Sequence, residues 1–233
     1  MINNKRGFES VLFFGRENCI YSNKIKEYLN QNSKTLIYLE SKERNKKIDI
    51  RKIKNKKFDF IFCFRSYFIL KKKLINQSKY GAINFHPGPP NFRGIGAVNF
   101  AIYKNSKFYG STAHYMDHKI DNGKIIDVVK FKISNKDNIE KILEKTHQIM
   151  FSQAIRVIKN CLKNKKYYYS KFKKIKFRWS KKLYTTKDLE KLYEISVVKN
   201  KSNLDRIIKA TYTKNFKPFL KIKNRKYFLI NND

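Results

Sequence analysis

Apolar runs and polar stretches alternate along the first two thirds of this chain. Val11-Leu-Phe-Phe14 is a short apolar run closed by Gly15 and reads as a buried strand. Behind it Tyr21, Ile25, Tyr28 and Leu29 recur at helical spacing. Residues 35–39 predict a second strand, the aromatic run Phe58-Asp-Phe-Ile-Phe-Cys-Phe64 a third, and Gly81-Ala-Ile-Asn84 a short fourth. Strands separated by helical or polar stretches predict βαβ units and an α/β fold with a mostly parallel sheet. Residues 109–116 and 124–133 predict two more strands around the turn Asp121-Asn-Gly123. Ser134-Asn-Lys-Asp137 then reads as a capping box. It would open a long helix with Ile139, Ile142, Leu143, Ile149, Met150, Ala154, Val157, Ile158 and Leu162 on one stripe.

The pattern changes after that helix. Between Cys161 and Lys187 there are eleven Lys or Arg and no acidic residue, interleaved with Tyr167, Tyr168, Tyr169, Phe172, Phe177 and Trp179. This divides the chain into a domain over residues 1–165 and a basic extension over 166–233. In the extension, residues 188–195 and 203–212 predict helices, and 217–222 with 226–230 a closing hairpin, so it reads as small and α+β.

Composition refines this picture without deciding the function. A chain of 233 residues that is 41% hydrophobic fits one ordinary domain with an appendage. The formal charge of +36 has two readings. It suits a polyanionic or phosphorylated partner, yet a Lys-, Asn- and Ile-rich chain from an AT-rich genome acquires the same excess without selection for binding. Cys19, Cys63 and Cys161 are widely spaced with no CxxC, which predicts reduced thiols in a cytoplasmic protein and no metal site. No signal-peptide core or membrane-length apolar run is seen, so no membrane partner is expected. The first strand ends in a lone Gly15 instead of GxGxxG, and GxxxxGK[ST] is absent, which disfavours dinucleotides and P-loop chemistry.

The candidate chemistry lies in two loops. Asn84-Phe-His86-Pro87-Gly88-Pro89-Pro90 leads to Arg93-Gly94, and Gly110-Ser-Thr112-Ala-His114-Tyr-Met116-Asp117 leads to Ile120-Asp121-Asn-Gly123. Asn84 and His86 stand at i and i+2, which in an extended segment point the same way. Prolines restrict the following loop, and Gly88 and Gly94 permit close backbone approach. An amide donor, an imidazole and a carboxylate suit acyl transfer to an amine: donors for the oxyanion and a group to take or steer a proton.

In order and spacing these residues resemble the signature of the formyltransferases that use 10-formyltetrahydrofolate, roughly N-x-H-P-[GS]…R-G and G-x-T-x-H-x-[MV]-D-x-x-[IL]-D-x-G. The resemblance implies a Rossmann-like fold over about residues 8–165, with Asn84, His86 and Asp121 catalytic and His114 in support. It implies 10-formyltetrahydrofolate as formyl donor, held by Phe64, Tyr67 and Ile69, by Gly88 and Pro89, and by Met116, Asp117 and Ile120. The short His-Pro-Gly-Pro-Pro-Asn loop, and Arg206-Ile-Ile-Lys209-Ala210, look more like the enzymes acting on amino-sugar nucleotides. That reading makes Arg93, Trp179 and Lys209 substrate-binding residues, Trp179 stacking on a base. The alternatives are methionyl-tRNA or another amine such as glycinamide ribonucleotide as acceptor, and a non-catalytic RNA-binding protein. Oligomeric state stays open, a homodimer included.

Overall fold

The computed structural model describes residues 7–43, 49, 51, 53–169, 175–195 and 201–230, the side chain of 201 excepted. Phe172 of the basic aromatic run lies outside the described residues. A six-stranded sheet forms the centre, in the order β2-β1-β3-β4-β6-β7. Strands β1 (Phe8–Arg16), β2 (Ser33–Ser41), β3 (Phe60–Phe64) and β4 (Ala82–His86) pair in parallel. Strands β6 (Phe108–Tyr115) and β7 (Ile125–Lys132) continue antiparallel. The mostly parallel sheet expected from the apolar pattern, and the Rossmann-like fold that the resemblance implies, are therefore present.

The parallel strands are covered on both faces, which is why β3 reads FIFCF without a polar position. On one face Phe8, Phe13, Phe60, Phe62, Phe64 and Phe85 pack with Ile25 and Leu29 of α1 (Ile20–Gln31) and with Met150, Val157 and Ile158 of α4 (Ile139–Lys163). Each such buried side chain contributes about 1.5–3 kcal/mol. On the other face Leu12, Phe14, Ile61 and Cys63 pack with Leu70 and with Leu74 and Ile75 of α2 (Lys72–Ile75).

The start of α4 differs from expectation. Ser134 and Asp137 close a turn of their own, with the Ser134 N–H donating to Asp137 Oδ2 at 2.7 Å. The helix is capped by Asn138, whose side chain accepts from the Lys141 N–H at 2.9 Å. Asn138 wins because its extended backbone aims its carbonyl oxygen at that orphan N–H. The buried stripe also includes Gln153, which the apolar count misses; it bonds Ser111 and Asp127.

Residues beyond 165 pack into the same body. Tyr184, Leu192 and Ala210 share a core with Phe92, Tyr109 and α3 (Ala97–Tyr103). Short strands β5 (Arg93–Gly94) and β8 (Leu183–Tyr184) pair in parallel. Helices α5 (Thr186–Tyr193) and α6 (Lys201–Thr211) follow. A small sheet of β9 (Glu194–Ile195), β10 (Phe219–Ile222) and β11 (Arg225–Phe228) includes the expected hairpin. No described helix is long and apolar enough to cross a membrane.

Candidate active site

The last residues of β4 and the loop after β6 meet. Register sets the meeting: Asn84 pairs with His114 and His86 with Thr112 across the β4–β6 ladder. Asn84 Nδ2 lies 3.2 Å from His114 Nε2. His86 Nδ1 lies 3.2 Å from Asp121 Oδ2, and His114 Nε2 lies 3.5 Å from Asp121 Oδ1. The four side chains thus form one connected group, and His86, His114 and Asp121 are buried.

Two loops are held in shape around them. Thr112 Oγ1 donates to the Gly88 carbonyl at 2.7 Å, and the Tyr109 hydroxyl donates to the Pro87 carbonyl at 2.7 Å. A Cβ on Gly88 would stand 2.7 Å from His86 Nε2, so a side chain there would displace the imidazole. Asp121 itself holds a left-handed backbone, φ 43°. The Gly94 N–H donates to its Oδ2 at 2.9 Å.

Hydrogen bonding defines the charge states. His114 Nδ1–H donates to the Tyr115 carbonyl at 2.8 Å, which leaves Nε2 to accept from the Asn84 amide. His86 Nε2 lies 3.0 Å from the Phe92 carbonyl while Nδ1 faces Asp121. Both contacts are hydrogen bonds only when each ring nitrogen carries a proton. Burial alone would push the Asp121 carboxyl up. The positive charge of His86 and the bond from the Gly94 N–H outweigh burial and hold it well below the usual carboxylate range.

The residues implied for cofactor binding divide. Gly88 and Pro89 are buried in the loop beside His86, and Met116 is half-buried with its N–H on the Ala82 carbonyl. Ile69 and Ile120 are exposed, at 71% and 48%. Asp117 orders its own loop, accepting from the Lys119 N–H and from Asn122 at 2.8 Å. Tyr67 is half-buried with the Arg16 guanidinium 4.0 Å over its ring. The Phe64 side chain is fully buried in the core against Phe85, because it points inward from a strand covered on both faces. Only its backbone can meet a ligand.

The three residues expected on the substrate reach protein carbonyls instead. Arg93 is buried, with Nη2 donating to the Ile120 carbonyl at 2.7 Å and Nη1 to the Ser180 carbonyl at 3.4 Å. Lys209 donates to the Asn135 carbonyl at 2.7 Å, in the loop between β7 and α4. Trp179 donates to the Gly123 carbonyl at 2.8 Å, and its ring stands against His114 and His86. Among the described residues, no group of three or more His, Cys, Asp or Glu is placed to hold a metal ion.

Sequence reasoning overlooked a second polar group. Arg16 ends β1 and Arg65 follows β3, and strand order 2-1-3-4 makes the gap between these two strands the topological switch point of the sheet. Arg65 holds a left-handed backbone, φ 55°, and its Nη1 lies 3.4 Å from Cys19 Sγ. His147 of α4 is pushed down to about 3 by burial, with the charges of Arg65 and Arg16 adding to it. A cation directly after an apolar parallel strand was the available signal.

Residues 13–158 match the profile of the formyl transferase family. The methionyl-tRNA formyltransferase of Clostridium perfringens is 31% identical over 133 residues, 55% of this chain and 42% of the relative. That of Clostridium tetani is 37% identical over 78 residues, 33% of this chain and 25% of the relative. The match thus spans less than half the length of these curated relatives. Among solved structures, a sugar N-formyltransferase from a Shewanella species superposes with a TM-score of 0.73 at 18% identity, covering 95% of this chain and 96% of that one. A 4-N formyltransferase from Francisella tularensis gives the same figures, TM-score 0.73, 18%, 95% and 96%. An N-formyltransferase from Helicobacter canadensis, solved with folinic acid and dTDP-3-aminofucose, gives 0.70 at 18% identity over 94% and 86%. At such identities these likenesses establish the fold.

Proposed function

The chain belongs to the formyl transferase family, and we propose that it moves a formyl group from 10-formyltetrahydrofolate to the amino group of an amino-sugar nucleotide. The observation that carries the acceptor is coverage. The fold likeness to a sugar N-formyltransferase runs through the C-terminal extension and covers both chains almost whole, 95% of this one and 96% of that one.

The site suits the chemistry. The acceptor nitrogen attacks the formyl carbon with its lone pair, and the C=O electrons move onto oxygen. Asn84 keeps one amide hydrogen for that oxygen, since its other is directed at His114. His86 supplies positive charge beside it; releasing Phe92 would turn its Nε2–H toward the oxyanion. A carboxyl held so far below its ordinary range is a weak base, so the assigned role of Asp121 is to keep His86 charged. The proton shed by the amine leaves through water. Collapse breaks the bond between the formyl carbon and N10, and N10 takes up a proton.

Arg93, Trp179 and Lys209 each direct a donor at a protein carbonyl. We assign the acceptor's diphosphate to Arg16 and Arg65 because they stand at the switch point of the sheet, where open α/β sheets hold their ligands. The β3–β4 register pairs Phe64 with Phe85, the residues directly before Arg65 and His86. Phosphate there would lie next to the reacting centre.

Methionyl-tRNA is the second reading, favoured by the 31% identity to the tRNA enzyme and by the +36 charge. The test offers the protein 10-formyltetrahydrofolate with a panel of dTDP- and UDP-linked amino sugars, and separately with methionyl-tRNA. Formylated sugar nucleotide with untouched tRNA is the expected result; formylated tRNA with untouched sugars would reverse the assignment.

A further inference from the structure

Resting on the formyl-transfer reading, we propose that Trp179 is a positioning residue of the reaction centre, a dry wall supplied by the C-terminal extension that keeps His86 and His114 aligned with Asp121. Its indole centroid lies 5.0 Å from that of His114 at 89° and 5.8 Å from that of His86 at 72°. Edge-to-face contacts at these spacings are attractive beyond the area they bury. One ring therefore braces both imidazoles from the side, where their in-plane hydrogen bonds give no support.

The wall is tied to the turn that carries the carboxylate. Trp179 Nε1–H donates to the Gly123 carbonyl at 2.8 Å, two residues after Asp121. Gly123 cannot be replaced, since a Cβ there would stand 1.8 Å from the Tyr115 carbonyl oxygen. The next residue is fastened to the other loop. The Ser180 N–H donates to the Pro90 carbonyl at 3.0 Å, and its own carbonyl accepts from Arg93 at 3.4 Å. Arg93 in turn holds the Ile120 carbonyl at 2.7 Å, directly before Asp121. The β5–β8 pairing continues this strap over Arg93 and Gly94. Gly94, whose N–H bonds Asp121, has φ 93°, and an added Cβ would meet the Tyr184 carbonyl oxygen at 2.2 Å. The extension and both site loops thus form one closed circuit around the reacting groups.

Opening that wall admits water to the Asp121–His86 pair. Their attraction weakens as the local dielectric rises, and the imidazoles gain freedom to tilt. A base-stacking tryptophan would act differently, through acceptor binding, and the two roles separate in kinetics. Trp179→Ala should lower kcat roughly 10- to 100-fold, in line with a small misplacement of catalytic groups, while the KM for formyl donor and acceptor stays near wild type. Trp179→Phe keeps a ring against the histidines and loses only the Gly123 bond, so it should recover most of the rate. A rise in acceptor KM with kcat preserved would make Trp179 a binding residue and overturn the proposal. So would near-wild-type turnover of a folded Trp179→Ala, or a Trp179→Phe as poor as the alanine.

Spectroscopy on the unliganded protein separates this proposal from the acceptor reading. The chain contains a single tryptophan, so its emission reports this position alone. A protonated imidazole quenches indole fluorescence far more than a neutral one, so His86→Gln and His114→Gln should each brighten it, His86→Gln more because that ring carries the charge. Unchanged emission in both variants would remove Trp179 from the site whatever the enzyme formylates. Brightened emission with no formyl transfer to any amine would instead sink the functional reading and leave the contact standing.

Discussion

The two polar groups at the carboxyl ends of the strands are built on opposite electrostatic plans. Around β4, Asn84, His86, His114 and Asp121 balance one another: a buried carboxylate has a histidine on each oxygen, and each ring nitrogen has a partner. At the gap between β1 and β3, Arg65 forms no ion pair with a carboxylate among the described residues, and the nearby His147 is held neutral by burial and by cations. A balanced group can redistribute charge during a reaction without letting in counter-ions. Arg65 is a cation that an arriving anion would complete. Under the proposed function, the first group is where bonds change and Arg65 marks where an acceptor's phosphates would be held.

The largest expected effect falls on the balanced group. His86→Ala and Asp121→Ala should each lower kcat by about two orders of magnitude or more, the usual worth of lost oxyanion and proton-transfer help. Acceptor KM should move little, and steady-state kinetics with saturating donor checks both quantities. Near-wild-type turnover in either variant would remove that residue from the reaction. The cationic group should answer in the other parameter. Arg65→Met should raise acceptor KM about tenfold or more, the scale of one charge-assisted hydrogen bond, with donor KM and kcat close to wild type. Equal losses in kcat from Arg65→Met would erase the distinction between the two groups.

Much of this was legible in the chain, and the reasons are local. The strands β1 to β4 are covered on both faces, so their apolar runs stand out against polar neighbours. Asn84, His86 and Asp121 sit in segments dense with Pro, Gly and Asn, where turn chemistry marks a shaped loop. The pairing of β5 with β8 was not legible, because a two-residue strand carries no period and its partner lies far along the chain. Arg16 and Arg65 were hidden for a different reason. In a chain with 54 Lys and Arg, a functional cation is indistinguishable by type. What sets these two apart is strand order, which no local pattern encodes. The contact of Trp179 with the histidines was hidden too: a basic aromatic run suggests stacking on a nucleotide, and only the folded chain brings that ring onto the histidines.

The smallest expected effect sharpens the contrast through stability. An unfolded histidine titrates near 6.5, whereas His147 is pushed down to about 3 in the folded chain. Above about pH 6.5 the ring is neutral in both states and contributes nothing to pH dependence. As pH falls below that, the unfolded chain binds a proton that the folded chain refuses, so stability falls with pH. The slope for one such group is at most about 1.4 kcal/mol per pH unit, and less where water reaches the ring. Asp121 has the opposite shift relative to its charge: its folded carboxyl is held low, so its contribution is present above about pH 4 and is lost only below that. Between about pH 6 and 4.5, the difference between wild type and a His147 variant therefore reports the cationic group. Urea melts of wild type and His147→Gln across that window should diverge, the variant losing less stability on acidification. Arg65→Met should fall between them, because removing one cation relieves part of the pressure that keeps His147 neutral. Parallel loss in all three proteins would mean that His147 is not under that pressure, and that the two groups do not differ in charge balance as described.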